Sequence, residues 1–495
     1  MTAVEPKPAA VHDTFDSLNP ATDEVVGTYP VHTAEDVRAA VAAARTAAQW
    51  WAGLGFEGRA DRLRRWNGIL THRMPELCEV VSRETGKPAA DAQLEVVLAV
   101  EHVAWAARNA RKVLGRKRRP TGPLLSNHTA SVEYQPLGVV GVIGPWNYPV
   151  YTPMGSITYA LAAGNAIVFK PSEYTPGVGK WLVDTFAEVV PEYPVLQLVT
   201  GFGATGAALV GAGVDKIAFT GSTATGKKIM AAAAETLTPV VIEAGGKDPL
   251  IVDADADLDA AADAAVWGAF SNSGQTCIGV ERVYVHEQVY DKFVDRVVSL
   301  TREVKPGRQY GPMTMPSQLD VVRRHISDAL ARGGRALTGG ADAVGDRFVE
   351  PTVLVDVPED SAAVREETFG PTMTIAKVRD MDEAVEKANA TTYGLGSTVF
   401  SRRNAARLAQ RLKAGMISIN APFSFAGTAS LPFGGVGDSG FGRIHGPEGL
   451  REFARPKAVA RQRFAVPIKL TTFARTEKTD KLVSKIVTGL YGRKR

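Results

Sequence analysis

The stretch from Val139 to Glu243 limits the folding options of this chain more than any other, because short β-rich runs alternate there with helix-length segments. Val139-Val140-Gly141-Val142-Ile143 precedes a loop and a helical stretch to Ala163, and Ala166-Ile167-Val168-Phe169 precedes a helix around Trp181 to Val189. Val195 to Val199, Lys216 to Phe219 and Pro239 to Ile242 repeat the scheme. Such alternation implies helical crossovers and a parallel, doubly wound sheet. In that architecture ligand-contacting residues gather just beyond the C-terminal ends of the strands. Those places hold Pro145-Trp146-Asn147-Tyr148, Lys170-Pro171-Ser172-Glu173, Gly201-Phe202-Gly203, Gly221-Ser222-Thr223 and Glu243, so five chemical groups are expected along one edge.

A second alternating half runs from Pro249 to about Asn420, with strands expected near Val280 to Val285, Met373 to Val378 and Ser397 to Phe400. Helices are expected near Ala256 to Phe270 and Asn404 to Ala414, giving a separate α/β domain that faces the first. A mostly helical region, roughly Ala34 to Val113, comes before both. Between it and the first sheet, Ser131-Val132-Glu133-Tyr134 reads as an edge strand, with the stretch Lys457 to Gln462 as its partner. With 495 residues, 45% hydrophobic and 22% charged, the chain has enough apolar side chains for two or three domain cores, and disorder is excluded for most of it.

Only two cysteines occur, Cys78 and Cys277. Two in unrelated contexts cannot make a disulfide framework or a thiolate metal site, which points to a reducing compartment. The eight His residues show no paired metal-ligand spacing, so no metal is expected. Cys277 ends Ser273-Gly274-Gln275-Thr276-Cys277, a small, polar stretch that reads as a loop, and a thiol so placed is a candidate nucleophile. A free thiol is mostly protonated at neutral pH, so it needs a base. Glu243 is the candidate: it ends an apolar run and precedes Gly245-Gly246, the pattern of a buried strand releasing a carboxylate into a turn. A buried Cys and a surface Glu is the plainer alternative.

Two Gly-rich segments resemble nucleotide motifs without completing them. Gly201-Phe202-Gly203-Ala204-Thr205-Gly206 fits G-x-G-x-x-G, but no acid follows about 20 residues on, so it reads as a strand-to-helix turn at the edge of a cofactor site. Gly221-Ser222-Thr223-Ala224-Thr225-Gly226-Lys227 is followed by Lys228 where a phosphate-binding loop needs Ser or Thr, which argues against an NTPase. What survives is a helix N-terminus able to offer amides to a pyrophosphate.

Seven segments together carry a resemblance: Pro145-Trp146-Asn147-Tyr148-Pro149, Lys170-Pro171-Ser172-Glu173, Phe219-Thr220-Gly221-Ser222-Thr223, Glu243-Ala244-Gly245-Gly246-Lys247, Gly274-Gln275-Thr276-Cys277, Glu367-Thr368-Phe369-Gly370-Pro371 and Pro432-Phe433-Gly434-Gly435. In this order the set resembles the NAD(P)-dependent aldehyde dehydrogenase superfamily over about Asn19 to Arg463. The resemblance implies a Rossmann-like cofactor domain at 15–122 and 139–242, a second α/β catalytic domain at 243–448 and a small β oligomerisation element at 123–138 and 449–464. Residues 1–14 would be a disordered N-terminus and 465–495 a basic amphipathic extension.

The same resemblance implies that Cys277 attacks an aldehyde carbon, that the Asn147 amide and the Cys277 N–H hold the oxyanion, and that Glu243 activates water to hydrolyse the thioester. It places Lys170 and Glu173 on the adenosine ribose, Ser222 on the pyrophosphate and Glu367 on the nicotinamide ribose, with Phe369 beside it. Trp146, Gly203 and Gly221 complete the expected cofactor contacts, Trp146 and Tyr148 as packing residues. A carboxylate at the ribose 2′-OH suits NAD and repels a 2′-phosphate, so NAD is favoured without excluding NADP. Thr152 and Gly155 stand where relatives often have larger side chains, implying a roomy aldehyde tunnel, with Phe423 and Phe425 as candidates for its mouth. Ala244 and Asp248 depart from the usual Leu and Asn, at positions without a proposed catalytic role. A CoA-acylating semialdehyde dehydrogenase and a catalytically silent binding protein are the alternatives; Glu243 speaks against the first and the Cys277, Asn147, Glu243 set against the second.

The net charge of +4 is uneven: from Arg461 to the end, ten Lys and Arg face only Glu477 and Asp480, so the tail carries +8 and the body −4. With an acidic body and no recognition module, nucleic acid is not an expected partner. No secretory signal or membrane-spanning run is seen, so a cytoplasmic protein is expected, at most peripheral to a membrane. From Thr479, the residues Leu482, Val483, Ile486, Val487, Leu490 and Tyr491 fall at helical spacing opposite Lys481 and Lys485, before Arg493-Lys494-Arg495. A basic amphipathic helix can lie on an anionic membrane; docking on a neighbouring subunit or a solvated tail are the alternatives. The four cations Arg116-Lys117-Arg118-Arg119 read as a solvated loop. A homodimer or homotetramer is implied by the resemblance alone.

Overall fold

The structure is a computed structural model that describes residues 13–466 and 471–492. Most of the expected disordered N-terminus, 1–14, lies outside the described residues, and Thr14 already opens a strand, Thr14–Leu18. The chain divides into two compact units, one made of the chain up to Leu114 with Pro136–Arg455, the other of Gly115–Gln135 with the chain from Pro456 onward. The larger unit holds both α/β sheets, which the sequence reading had assigned to separate domains.

The first sheet runs, in spatial order, Gly440–Phe441, Val240–Ala244, Lys216–Gly221, Val139–Ile143, Ala166–Lys170 and Leu196–Leu198. Its five long-range pairings between consecutive neighbours are parallel except for Gly440–Phe441, which adds antiparallel to Val240–Ala244. Counted along the chain from the Leu196–Leu198 edge, the parallel strands follow the order third, second, first, fourth, fifth. The winding therefore reverses between Val139–Ile143 and Lys216–Gly221, and at such a switch point two loops diverge and leave a crevice. The loop from Gly144 and the turn at Gly221-Ser222 are those two.

The second sheet has seven strands among the described residues, in the order Arg335–Thr338, Thr352–Val355, Thr372–Val378, Val280–His286, Asp248–Val252, Gly396–Phe400 and Met416–Ile419. Only Arg335–Thr338 is antiparallel to its neighbour. Asp248–Val252 is buried at every position, as expected of a central strand covered on both faces.

Four helices, Ala34–Gly53, Gly55–His72, Met74–Thr85 and Ala89–Leu114, account for the helical N-terminal region. Thr33 starts the first through a capping box with Asp36, each side chain bonding the other's backbone N–H. Ala89–Leu114 packs against Tyr151–Ala163, which is buried on all sides because its sequence is apolar or small all round.

The smaller unit contains a three-stranded sheet in the order Ala454–Gln462, His128–Pro136, Lys117–Arg119. His128–Pro136 is thus central rather than an edge, because Lys117–Arg119, expected as a loop, pairs with its other side. This pairing also draws residues 115–122 away from the cofactor domain to which they had been assigned. Helix Glu477–Tyr491 starts at Thr476, whose side chain accepts from the Thr479 N–H, and Leu482, Ile486, Leu490 and Tyr491 on it are exposed. Arg493-Lys494-Arg495 lies outside the described residues. No helix among the described residues is long and apolar enough to cross a membrane.

Candidate active site

Cys277 follows a tight run in which Asn272, Ser273 and Gly274 all take left-handed backbone angles, with φ of 52°, 58° and 68°. Two non-glycine residues in that region store strain that surrounding bonds must hold, a pattern concentrated at functional sites. Those bonds are present: Ser273 Oγ donates to Gly311 O, Asn272 Nδ2 to Asn147 O and Gln275 O, and Thr314 N to Gln275 Oε1. Gly274 is required twice over, since a Cβ there would also lie 2.1 Å from Gly370 O.

Glu243 lies near the end of Val240–Ala244 and is 4% exposed. The Cys277 Sγ–H donates to Glu243 Oε1 at 3.5 Å. Burial pushes the Glu243 carboxyl from its ordinary 4.5 up to about 7, and hydrogen bonds from Cys277 and Thr220 only partly offset it. Burial, and next the Glu243 carboxylate, push the Cys277 thiol well above its ordinary value. The resting pair is therefore a thiol beside a carboxyl poised near neutrality, which suits proton exchange at physiological pH. Asn147, 5% exposed, donates one amide proton to Gln275 O at 3.0 Å, leaving the second for another acceptor.

Cys277 stands in the walls of two cavities. One, about 200 Å³, is lined by Tyr148, Tyr151, Thr152, Glu243, Trp267, Ile278, Phe423, Phe433 and neighbours. The other, about 290 Å³, is lined by Pro145, Trp146, Asn147, Gly221, Ser222, Gly245, Glu367, Phe369 and others, and it opens at the switch point of the first sheet. A dinucleotide's nicotinamide end fits this second cavity by the chemistry of its wall. Gly245 has no Cβ, and one there would meet the Glu367 carboxyl at 2.2 Å, so the acid reaches this wall only because of the glycine. Glu367 also accepts from the Gly246 N–H, and burial raises its carboxyl to about 8. Ser222 caps helix Thr223–Ala234 by accepting from the Thr225 N–H, which leaves the first-turn amides facing outward from the helix end. Phe369, at φ 51°, meets Trp146 edge-on with ring centres 5.6 Å apart.

Of the expected cofactor contacts, Trp146, Gly221, Ser222, Glu367 and Phe369 share that wall, whereas Lys170, Glu173 and Gly203 do not. Lys170, the last residue of strand Ala166–Lys170, pairs with Glu173 at 3.6 Å, and Glu173 lines a different cavity of about 580 Å³ with Phe202. Gly203 opens helix Gly203–Val210 beside Phe202. On the Glu243 side, Phe423 and Thr152 line the cavity as expected, but Phe425 is buried against Phe433. Gly155 is also corrected: a Cβ there would meet His445 Nε2 at 2.5 Å, so its smallness makes room for a buried imidazole and not for a tunnel. Tyr148, expected as packing, both lines the cavity and hydrogen-bonds Thr276 Oγ1 at 3.0 Å.

Two buried ion pairs hold the site and were not foreseen. Lys87 Nζ donates to Glu95 at 2.8 Å and to Asn147 O at 2.7 Å, and Glu95 accepts from the Val150 and Tyr151 N–H groups at the start of Tyr151–Ala163. Lys247 pairs with Glu281, whose carboxylate accepts from the Thr368 and Phe369 N–H groups. The first pair fixes the Asn147 loop and the second the Glu367–Phe369 loop. In sequence each lysine directly follows a glycine, Gly86-Lys87 and Gly246-Lys247, but nothing there names Glu95 or Glu281 as its partner. No cluster of three or more His, Cys, Asp or Glu among the described residues is placed to hold a metal ion.

Comparison with known proteins gives a consistent result. The profile described as "Aldehyde dehydrogenase family" matches residues 8–459. The 4,4'-diapolycopene aldehyde oxidase of a Methylomonas species is 37% identical over 462 residues, covering 92% of this chain and 87% of that protein. A protein of Mycobacterium ulcerans (strain Agy99) named as an NADP+-linked succinate-semialdehyde dehydrogenase is 38% identical over 454 residues, covering 89% and 87%. Among solved structures, an NAD-dependent aldehyde dehydrogenase from Sinorhizobium meliloti superposes with a TM-score of 0.88 at 35% identity, covering 93% of each chain.

Proposed function

The chain belongs to the aldehyde dehydrogenase family and is an NAD(P)-dependent enzyme of that family, and from this premise we propose that it oxidises aldehydes to carboxylic acids through a covalent bond to Cys277. One observation carries the mechanism: Cys277 separates two cavities while its thiol donates to a carboxyl poised near pH 7. Glu243 takes the thiol proton as the sulfur attacks the carbonyl carbon, and the free Asn147 amide proton meets the oxygen as negative charge develops. When bound, the nicotinamide ring of the cofactor accepts the hydride from the former aldehyde carbon. The chain's own groups finish the reaction. Glu243 releases the thiol proton to solvent and then removes a proton from water, the water oxygen adds to the thioester carbon, the C–S bond breaks, and Glu243 returns its proton to the sulfur as the acid leaves. This role for a buried carboxyl favours hydrolysis over transfer to CoA.

The pairing of Glu173 with Lys170 beyond a strand end supports NAD over NADP, since a ribose 2′-hydroxyl can donate to a carboxylate and a 2′-phosphate is repelled. Two free cysteines support a reducing, cytoplasmic setting, and the outer strand Ala454–Gln462 supports assembly of homodimers or homotetramers by edge pairing. The test is intact-mass analysis of enzyme quenched during turnover. An acyl adduct that maps to Cys277 and disappears in Cys277→Ala is expected; NADH production by Cys277→Ala at the parent rate would refute the proposal.

A further inference from the structure

The cavity on the Glu243 side has a one-sided chemistry. Its apolar wall includes Leu98 and Phe433, and at the rim Leu94 and Trp267 are 44% and 41% exposed. Trp267 and Phe423 lie with ring centres 5.5 Å apart, and Phe423 holds a left-handed backbone, φ 49°, that aims a bulky ring where few residues would be tolerated. The ionisable groups of the wall are the carboxyls of Asp91, Glu95 and Glu243, the Cys277 thiol and two tyrosine phenols; none of the described lining side chains is Lys, Arg or His. Glu95 is already held by Lys87 and two backbone N–H groups, and Asp91 Oδ2 has no hydrogen-bond partner.

An anionic substrate tail in such a chamber would lose its water and meet carboxyls instead of a cation, the costly case for a buried charge. An uncharged hydrocarbon tail gains at every contact, and the apolar rim continues that gain to the surface. Building on the reading above, we propose that the substrates of this enzyme are uncharged apolar aldehydes, with a chain long enough to reach from Cys277 to the Trp267–Phe423 rim, and that aldehydes bearing a carboxylate are rejected. The neighbouring family member named for succinate semialdehyde therefore does not set the specificity of this chain.

The test has two arms. In the first, kcat/KM is measured with NAD for propanal to octanal and for succinate semialdehyde. Each added methylene is expected to raise kcat/KM by about fourfold until the rim is reached, the factor for burying one CH2. Succinate semialdehyde is expected at least ~100-fold below butanal, in line with an unpaired buried charge. Trp267→Ala and Phe423→Ala should flatten the dependence on chain length. Succinate semialdehyde within tenfold of butanal would overturn the proposal while leaving aldehyde oxidation intact. The second arm needs no turnover: alkylation of Cys277 by iodoacetamide, followed by mass spectrometry, should be slowed by hexanamide and not by succinamate. Protection by succinamate as strong as by hexanamide would also overturn it, whereas selective protection without any oxidation would sustain the specificity and defeat the mechanism instead.

Discussion

Glu243→Gln should weaken the enzyme and strengthen the protein at once. The carboxyl is fully enclosed and burial lifts it from 4.5 to about 7, so between those values the folded protein holds a proton that the unfolded chain has released. Stability therefore falls as pH rises through that window, by 1.36 kcal/mol for each unit, and above pH 7 the buried charge costs about 3 kcal/mol. Glutamine keeps the shape and removes the charge. Urea unfolding at pH 8 should show the variant more stable by up to ~3 kcal/mol, and the gain should vanish at pH 4.5, where the parent carboxyl is protonated in the folded state. Catalytically, loss of the base should lower steady-state turnover by about 10² to 10⁴-fold. Because Glu243 also takes the thiol proton before hydride loss, the burst of NADH, one per active site, should keep its amplitude but form more slowly than in the parent. In the parent, the ionised fraction of Glu243 should carry the rate of the hydrolytic step, followed by single-turnover deacylation, up roughly tenfold from pH 6 to pH 8. No stability gain at pH 8, or an equal gain at pH 4.5, would refute burial as the cause of the raised carboxyl. A burst as fast as the parent's would show that Glu243 acts only after hydride loss.

Asn147→Ala should lower kcat by about 10² to 10³-fold with unfolding midpoints close to the parent's, measured by NADH absorbance and urea titration, because it removes a donor aimed at developing charge. Lys87→Met should destabilise the protein by about 3–5 kcal/mol, since Glu95 is left charged and enclosed with side chains 1% and 0% exposed, and adding Glu95→Gln should recover part of the loss in the same urea assay. Glu173→Gln should improve kcat/KM for NADP relative to NAD by on the order of tenfold, by removing a carboxylate from the position proposed for the ribose. Truncation before Ala465 should leave turnover unchanged in the NADH assay; loss of co-flotation with anionic vesicles on truncation would favour the membrane reading of helix Glu477–Tyr491, and unchanged flotation would end it.

The parts of this molecule that were readable in advance are those with a local pattern. Alternating β-rich and helical runs gave the doubly wound sheet, and strand ends followed by polar or Gly-rich residues located Asn147, Ser222 and Glu243. Pairings between distant charges left no such trace. Glu95 sits on a long helix where a glutamate ordinarily faces water, and only folding brings it to Lys87 and to the orphan N–H groups of Tyr151–Ala163. Lys117–Arg119 was misread because three cations resemble a loop, although an outer strand accepts lysine and arginine readily. Gly155 was misread because a missing side chain shows that something is close, without showing that it is His445.

The placement of Cys277 in a shared wall has a consequence for traffic through the enzyme. Glu243 belongs to the wall of the apolar chamber only, so under the proposed mechanism the hydrolytic water arrives by the door the aldehyde used, and the acid departs through it. The dinucleotide has its own door at the switch point. A compound that plugs the apolar door would then trap acylated enzyme while nucleotide exchange continues, a separation that a single common cleft would not allow.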